Sequence, residues 1–194
     1  IGTIATVEPK TWPQAEGKAL GAADAPVVVR EFSDFQCPYC RQFNNTVKDQ
    51  IIQQYVETGK VRFEYHHYIV IDNNVGGTES RRAAEASECA AEQGRFWDYQ
   101  EMLFANILGE GVGSFRDERL KAFAGQIGLD QAEFDACYNS REYRDQVNID
   151  QALGQKLGVR GTPSLYVNDQ KIENPFDFSS IQSAIEAALN QASQ

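Results

Sequence analysis

Cys37 and Cys40 stand in the run Gln36-Cys37-Pro38-Tyr39-Cys40, and a dithiol at this spacing can exchange two electrons with a disulfide. The chemistry needs one sulfur held as thiolate and a second within reach to resolve the mixed disulfide. Local sequence supplies both. Val27, Val28, Val29 and Phe32 form a β-branched and aromatic run entered through Pro26, and Phe43, Val47, Ile51, Ile52, Tyr55 and Val56 recur at helical spacing up to Gly59. Cys37 therefore falls where a strand hands over to a helix, with Pro38 at the first helical position, where a missing N–H costs nothing. Free backbone N–H groups and the positive end of the helix dipole then favour a Cys37 thiolate, one helical turn from Cys40.

The elements that position this pair can be read further along the chain. Val61 to Ile71 reads as a strand. From Thr78 to about Leu157 helical patterns follow one another: an Ala- and Glu-rich helix capped by Thr78 and ending near Gly94, then Phe96, Tyr99, Leu103 and Phe104 at helical spacing. Ser114-x-x-Asp117 and Asp130-x-x-Glu133 resemble capping boxes, and Gly158 stops a last helix carrying Tyr143, Val147, Leu153 and Leu157. Strand character returns at Ser164 to Val167, turns at Asn168-Asp169 and comes back over Lys171 to Glu173. A closing helix capped by Ser179 or Ser180 carries the stripe Ile181, Ala184, Ile185, Ala188 and Leu189. The order predicts an α/β fold, a mixed sheet covered by helices.

Composition narrows the partners. The formal charge of −10 and the absence of a Lys/Arg cluster longer than Arg81-Arg82 argue against nucleic acid and anionic membrane surfaces. No stretch approaches the roughly 18 apolar residues of a membrane span. The first residue is Ile1, which suggests a processed or trimmed chain with any export signal or anchor out of view. Residues 1–20 read as a leader that drapes over the fold or is partly mobile. The cysteine count is even, with one local and one distant pair, which fits an oxidising compartment. A metal site is not expected: His66 and His67 point to opposite faces of a strand, and Cys89 and Cys137 lack a second Cys-x-x-Cys.

The segments Ala25-Pro26-Val27-Val28-Val29-Arg30-Glu31-Phe32-Ser33-Asp34-Phe35-Gln36-Cys37-Pro38-Tyr39-Cys40 and Gly158-Val159-Arg160-Gly161-Thr162-Pro163-Ser164 resemble the DsbA-like thiol:disulfide oxidoreductases. Glu92-Gln93-Gly94-Arg95-Phe96-Trp97 resembles their helical block. The resemblance covers roughly residues 19–190 and implies a thioredoxin fold with a helical insertion: residues 21–75 and 158–194 as the thioredoxin-fold domain, 76–157 as the inserted subdomain. It implies Cys37 as the exposed nucleophile, Cys40 as the more buried partner, and Pro38-Tyr39 as the dipeptide tuning them. Thr162–Pro163 becomes a cis bond beside the dithiol, leaving the Thr162 backbone to pair with substrate. The other reading is an ordinary trans proline opening a strand. Glu31 becomes a buried acid moving protons for the buried cysteine; the alternative is an edge-strand charge facing water. Asp34 reads as a turn former. Members of the family carry a second cysteine pair, which implies a structural disulfide between Cys89 and Cys137, against two buried free thiols.

The activity implied is an extracytoplasmic dithiol oxidase without cofactor, acting on reduced exported proteins. A quinone-linked membrane oxidase of the DsbB or vitamin K epoxide reductase type would recharge it, and a monomer is the default. A Cys37 thiolate three units below pH 7 would be stabilised by about 4 kcal/mol, which raises the potential by roughly 90 mV. Competing readings are a reductase or isomerase of the same fold, although isomerases generally add an N-terminal dimerisation domain, and a thioredoxin-like binding module. The intact dithiol argues against the glutathione-dependent isomerases of this fold.

Overall fold

The computed structural model describes residues 1–194. The leader ends in a two-residue strand, β1 (Ala19–Leu20). It is followed by β2 (Val27–Ser33), helix α1 (Pro38–Thr46), α2 (Lys48–Ile51) and a π-helical turn over Ile52–Val56. Next come β3 (Val61–His67), α3 (Ile71–Val75), α4 (Glu79–Glu92), α5 (Phe96–Ala105), α6 (Asp117–Gln126), α7 (Gln131–Ser140) and α8 (Arg144–Leu157). The chain closes with β4 (Ser164–Val167), β5 (Gln170–Lys171) and α9 (Phe178–Ala192). None of these helices is long and apolar enough to cross a membrane.

The sheet runs β1-β3-β2-β4-β5, with β2 and β3 parallel and the other pairs antiparallel. β2 is central. Its residues Val27, Val29, Glu31 and Ser33 share one face with Val61, Phe63, Tyr65 and His67 across the β3 register. The apolar members of that face join Phe43 and Ile51, Phe96 and Trp97, and Ile181 and Ile185 in the main core. On the opposite face Phe32, Tyr68, Val159 and Tyr166 form a smaller cluster against Leu153 and Leu157 of α8. Gly154 makes this packing possible: a Cβ there would lie 2.6 Å from the Tyr68 ring.

Several boundaries differ from the sequence reading, each for a local reason. The helix expected to run to Gly59 is broken at Val47. Thr46 Oγ donates to Gln42 O and Gln50 Nε2 to Thr46 O, so side chains share these carbonyls, and the last turn widens to the Ile52 O to Glu57 N bond. The strand expected to reach Ile71 stops at His67, because the N–H groups of Val70 and Ile71 are taken by the Asp34 carboxylate. Asp130 caps α7 through Glu133 N as its motif suggests, but Ser114 does not cap α6. Its hydroxyl accepts from Leu108 N and donates to Gly109 O inside the preceding loop. Asp177, rather than Ser179 or Ser180, caps α9. The return strand is Gln170–Lys171, and Asn168 turns the chain in a left-handed conformation while bonding both ways with the Val28 backbone.

The leader is held along its length. Asn106, the C-cap of α5, exchanges bonds with the Ala5 backbone, Arg119 donates to the carbonyls of Ile1 and Thr3, and Trp12 Nε1 donates to Asp98. Lys18 sits between Glu88 of α4 and Asp150 of α8, at 2.5 and 2.6 Å, and His67 shares both acids. This buried cluster joins leader, sheet and helical block, with Lys18 as its internal cation.

Inside the helical block a disulfide joins Cys89 of α4 to Cys137 of α7, with Cα atoms 5.9 Å apart and a sequence separation of 48. A link of that length removes loop entropy worth about 4 kcal/mol from the unfolded chain. Cys89→Ala/Cys137→Ala is expected to lower unfolding free energy in urea by 2–4 kcal/mol while Cys37 keeps its alkylation rate. A coupled change in that rate would tie the disulfide to the dithiol instead.

Candidate active site

Cys37 occupies the N-cap position of α1 with extended backbone, Pro38 is the first helical residue, and Arg41 N closes the first turn on Cys37 O. The loop ahead of it is fixed by Asp34, which is buried. Asp34 Oδ1 accepts from Gln36 N and from Ser80 Oγ at 2.6 Å; Oδ2 accepts from Val70 N and Ile71 N, both at 2.9 Å. Gln36 adds bonds from Nε2 to Asp72 and Ser80, and its Oε1 accepts from Gly111 N. The short reach of Asp34 therefore does more than form a turn. It ties the motif loop to the starts of α3 and α4. Gln36 and Ser80 were not singled out in the sequence; their buried amide and hydroxyl give no periodic signal.

Both motif cysteines are free thiols: Cys40 is fully buried, as expected of the partner sulfur, but Cys37, expected to be exposed, is only 4% exposed. The exposed residues of the motif are Pro38 and Tyr39, the latter at 63%. Thr162–Pro163 is cis and lies across from the dithiol, with the Cys37 thiol donating to Thr162 O at 3.6 Å. The two thiols are pushed in opposite directions. A hydrogen bond from Cys40 lowers Cys37 to about 6, against the opposing effect of burial, with the Thr162 side chain and the N–H groups of Cys40 and Tyr39 adding to the lowering. Burial pushes Cys40 well up, and a thiolate at Cys37 pushes it further. Cys37 is thus the thiolate and Cys40 the retained thiol.

Glu31 is 1% exposed, in the middle of β2 and opposite Tyr65 in β3 and Leu165 in β4. It is not an edge charge. Neither carboxylate oxygen has a hydrogen-bond partner, and the Ser33 and Tyr65 hydroxyls nearby are also unpartnered. Burial raises Glu31 to about 8, the Lys48 ammonium pulling the other way and a Cys37 thiolate pushing further up. A buried acid that holds its proton near neutral pH can give it up or take it back there.

The comparisons with known proteins agree with this geometry. A family model described as Thioredoxin matches residues 14–187. Disulfide bond formation protein D of Bacillus subtilis is 32% identical over 192 residues, spanning 91% of this chain and 79% of the relative. The crystal structure of oxidised BdbD from Bacillus subtilis has a TM-score of 0.81 at 30% identity, covering 92% of this chain and 96% of that one. Wolbachia pipientis alpha-DsbA1, at 22% identity, shares the fold with a TM-score of 0.75 over 93% of this chain and 94% of its own. The chain belongs to the thioredoxin family, and within it to the DsbA-like thiol:disulfide oxidoreductases.

The position of Glu31 sets a pH dependence. Its native value lies above its unfolded one of 4.5, so the native state keeps a proton that the unfolded chain releases. Stability from this group is complete below pH 4.5 and is lost as pH rises toward 8. Glu31→Gln is therefore expected to match the native protein at pH 4 and to exceed it by about 3 kcal/mol at pH 7, at 1.36 kcal/mol per pH unit. Urea unfolding of the reduced protein at the two pH values measures this; an equal gap at both would contradict it.

Proposed function

We propose that the chain is an extracytoplasmic dithiol oxidase that passes the Cys37–Cys40 disulfide to exported proteins through a mixed disulfide at Cys37. The observation that carries the reading is the asymmetry of the pair: a lowered Cys37 at a helix start beside Thr162, over a buried Cys40 held as thiol. A substrate thiolate attacks Cys37 Sγ, the Cys37–Cys40 bond breaks, and Cys40 leaves with the electron pair and takes a proton from Glu31. A second substrate thiolate then attacks the substrate sulfur of the mixed disulfide. Cys37 leaves as the stabilised thiolate, the substrate departs with its disulfide, and the enzyme holds the two electrons as a dithiol.

In this reading the exposed Tyr39 and the Gly161-Thr162-Pro163 backbone receive an extended substrate segment, by strand addition beside the dithiol. The internal Cys89–Cys137 disulfide supports an oxidising compartment. Reoxidation falls to a quinone-linked membrane oxidase of the DsbB or vitamin K epoxide reductase type. The competing reading is a reductase, and it draws on the size of the Cys37 effect. A value near 6 favours the reduced enzyme at pH 7 by only about 1.4 kcal/mol, or roughly 30 mV, a third of the gain available from a thiolate near pH 4.

Order of attack is testable with single variants. Cys40→Ser is expected to accumulate a covalent adduct with a cysteine-containing peptide disulfide, stable on non-reducing gels, while Cys37→Ser forms none. An adduct on Cys37→Ser would reverse the roles of the two sulfurs.

A further inference from the structure

One buried cation joins the leader to the loop beside the dithiol. Arg119 of α6 is 3% exposed, yet its guanidinium meets no carboxylate; it bonds backbone carbonyls instead. Nε donates to Ser114 O at 2.8 Å, Nη1 to Ile1 O at 2.7 Å and Thr3 O at 3.2 Å, and Nη2 to Asn106 O at 3.3 Å. Two of these four carbonyls belong to the leader. Between them stands Gly2 with a φ of 73°, a backbone that side-chain-bearing residues rarely adopt. Asn106 holds the next stretch by bonding both ways with the Ala5 backbone, at 2.8 and 3.0 Å. A buried guanidinium that loses its acceptors is costly, so leader and loop are tied through it.

The same ties run on toward Cys37. Ser114, whose carbonyl Arg119 holds, closes the loop ahead of α6: its hydroxyl accepts from Leu108 N at 2.9 Å and donates to Gly109 O at 2.8 Å. Within that loop Gly111 N donates to Gln36 Oε1 at 2.8 Å, and Gln36 directly precedes Cys37. Glu79, the first residue of α4, accepts from Gly113 N and Phe115 N, both at 2.8 Å. Side chains, not secondary structure, therefore fasten this loop. Leu108 and Val112 are exposed on it, and so is Val75 at the end of α3; a Cβ on Gly111 would lie 2.9 Å from Val75 Cγ2. Leader and loop face each other across a cavity of about 390 Å³ whose walls include Ile1, Thr3, Leu108, Val112 and Arg119, so the polar ties through Arg119 carry the hold between them.

We propose that residues 1–5 act as a strap and Arg119 as a positioning residue: together they hold loop 108–113 at the rim of the dithiol, where it receives the polypeptide that a mixed disulfide joins to Cys37. The proposal rests on the oxidoreductase reading of the dithiol. The rim is continuous with the reacting sulfur, because the loop bonds the side chain of its neighbour Gln36. Leu108, Val112 and Val75 offer contact to apolar side chains flanking the substrate cysteine. Glutathione, a Glu-Cys-Gly tripeptide, has no such side chains. The strap therefore acts on binding of a polypeptide and leaves the exchange chemistry of Cys37 as it is.

Gly2→Val/Ala5→Pro tests this from the leader alone. The first change puts a β-branched residue at a positive φ, and the second removes the N–H that bonds Asn106. Neither alters a residue of the dithiol, the loop or the helical block. Ala5→Pro alone is a second variant for the case in which the first does not fold. Amide exchange at Gly111 and Gly113 is expected to quicken about tenfold, as for the loss of one hydrogen bond to a charged group. The second readout is single-turnover reduction of the oxidised protein by a two-cysteine peptide with leucines beside its cysteines. Its half-saturating concentration is expected to rise roughly tenfold, the worth of one buried apolar side chain. The limiting rate, the rate with reduced glutathione and the pH profile of Cys37 alkylation are expected to stay the same. Unmoved amide exchange or an unmoved half-saturating concentration would overturn the proposal and leave the oxidoreductase reading intact. An equal loss with glutathione would overturn it too, by placing the leader's effect on the dithiol itself. A native protein that takes electrons from neither the peptide nor glutathione would overturn both.

Discussion

The Asp34 carboxylate accepts four hydrogen bonds, from the Gln36 N–H, the Ser80 hydroxyl and the N–H groups of Val70 and Ile71. Through them this one buried carboxylate ties the loop ahead of the dithiol to the starts of α3 and α4. By taking the N–H groups of Val70 and Ile71, just past β3, it stops that strand from continuing, starts α3, and anchors α4 through Ser80. It also fixes the turn that delivers Cys37 to the N-cap of α1. A buried carboxylate is costly unless its lone pairs are filled, and here they are. The sheet supplies the platform, but this single group sets the angle at which helix α1 presents one sulfur and hides the other.

Below that turn the core departs from the usual rule that buried polar groups are paired. Glu31, Ser33 and Tyr65 keep unpartnered oxygens, while Lys48 donates to Gln100 and Glu101. An apolar residue at position 31 would be more stable at neutral pH. In the proposed oxidase reading this acid exchanges a proton with Cys40. Stability and function pull against each other at this position, and the Cys89–Cys137 disulfide and the Lys18–Glu88–Asp150 cluster reinforce the frame elsewhere.

Much of this was legible before any coordinates. The strand–dithiol–helix junction followed from the Val27–Phe32 run, Pro38 and the helical spacing beyond it. The helical block and the closing hairpin and helix followed from periodicity and from Gly158. Glu31 was visible as an acid interrupting an apolar strand. What stayed hidden depends on contacts distant in sequence. Asp34 reads as a turn residue until Val70, Ile71 and Ser80 are brought to it. Lys48 carries no motif or periodic signal, and only the fold brings Trp12, Gln100 and Glu101 around it. The leader, too short of large apolar residues to declare itself, is held by Asn106 and Arg119, neither of which has a pattern that pairs it with residues 1–5. Local propensity finds elements; polar ties between them need the fold.

The claim at the centre of the account is that a stabilised Cys37 thiolate makes the disulfide form an oxidant. The redox equilibrium of the Cys37–Cys40 pair against glutathione at pH 7, with Cys89–Cys137 intact, tests it most directly. The account predicts a potential at least roughly 30 mV above the thioredoxin value of about −270 mV. A potential at or below that value would contradict it and identify the protein as a reductase.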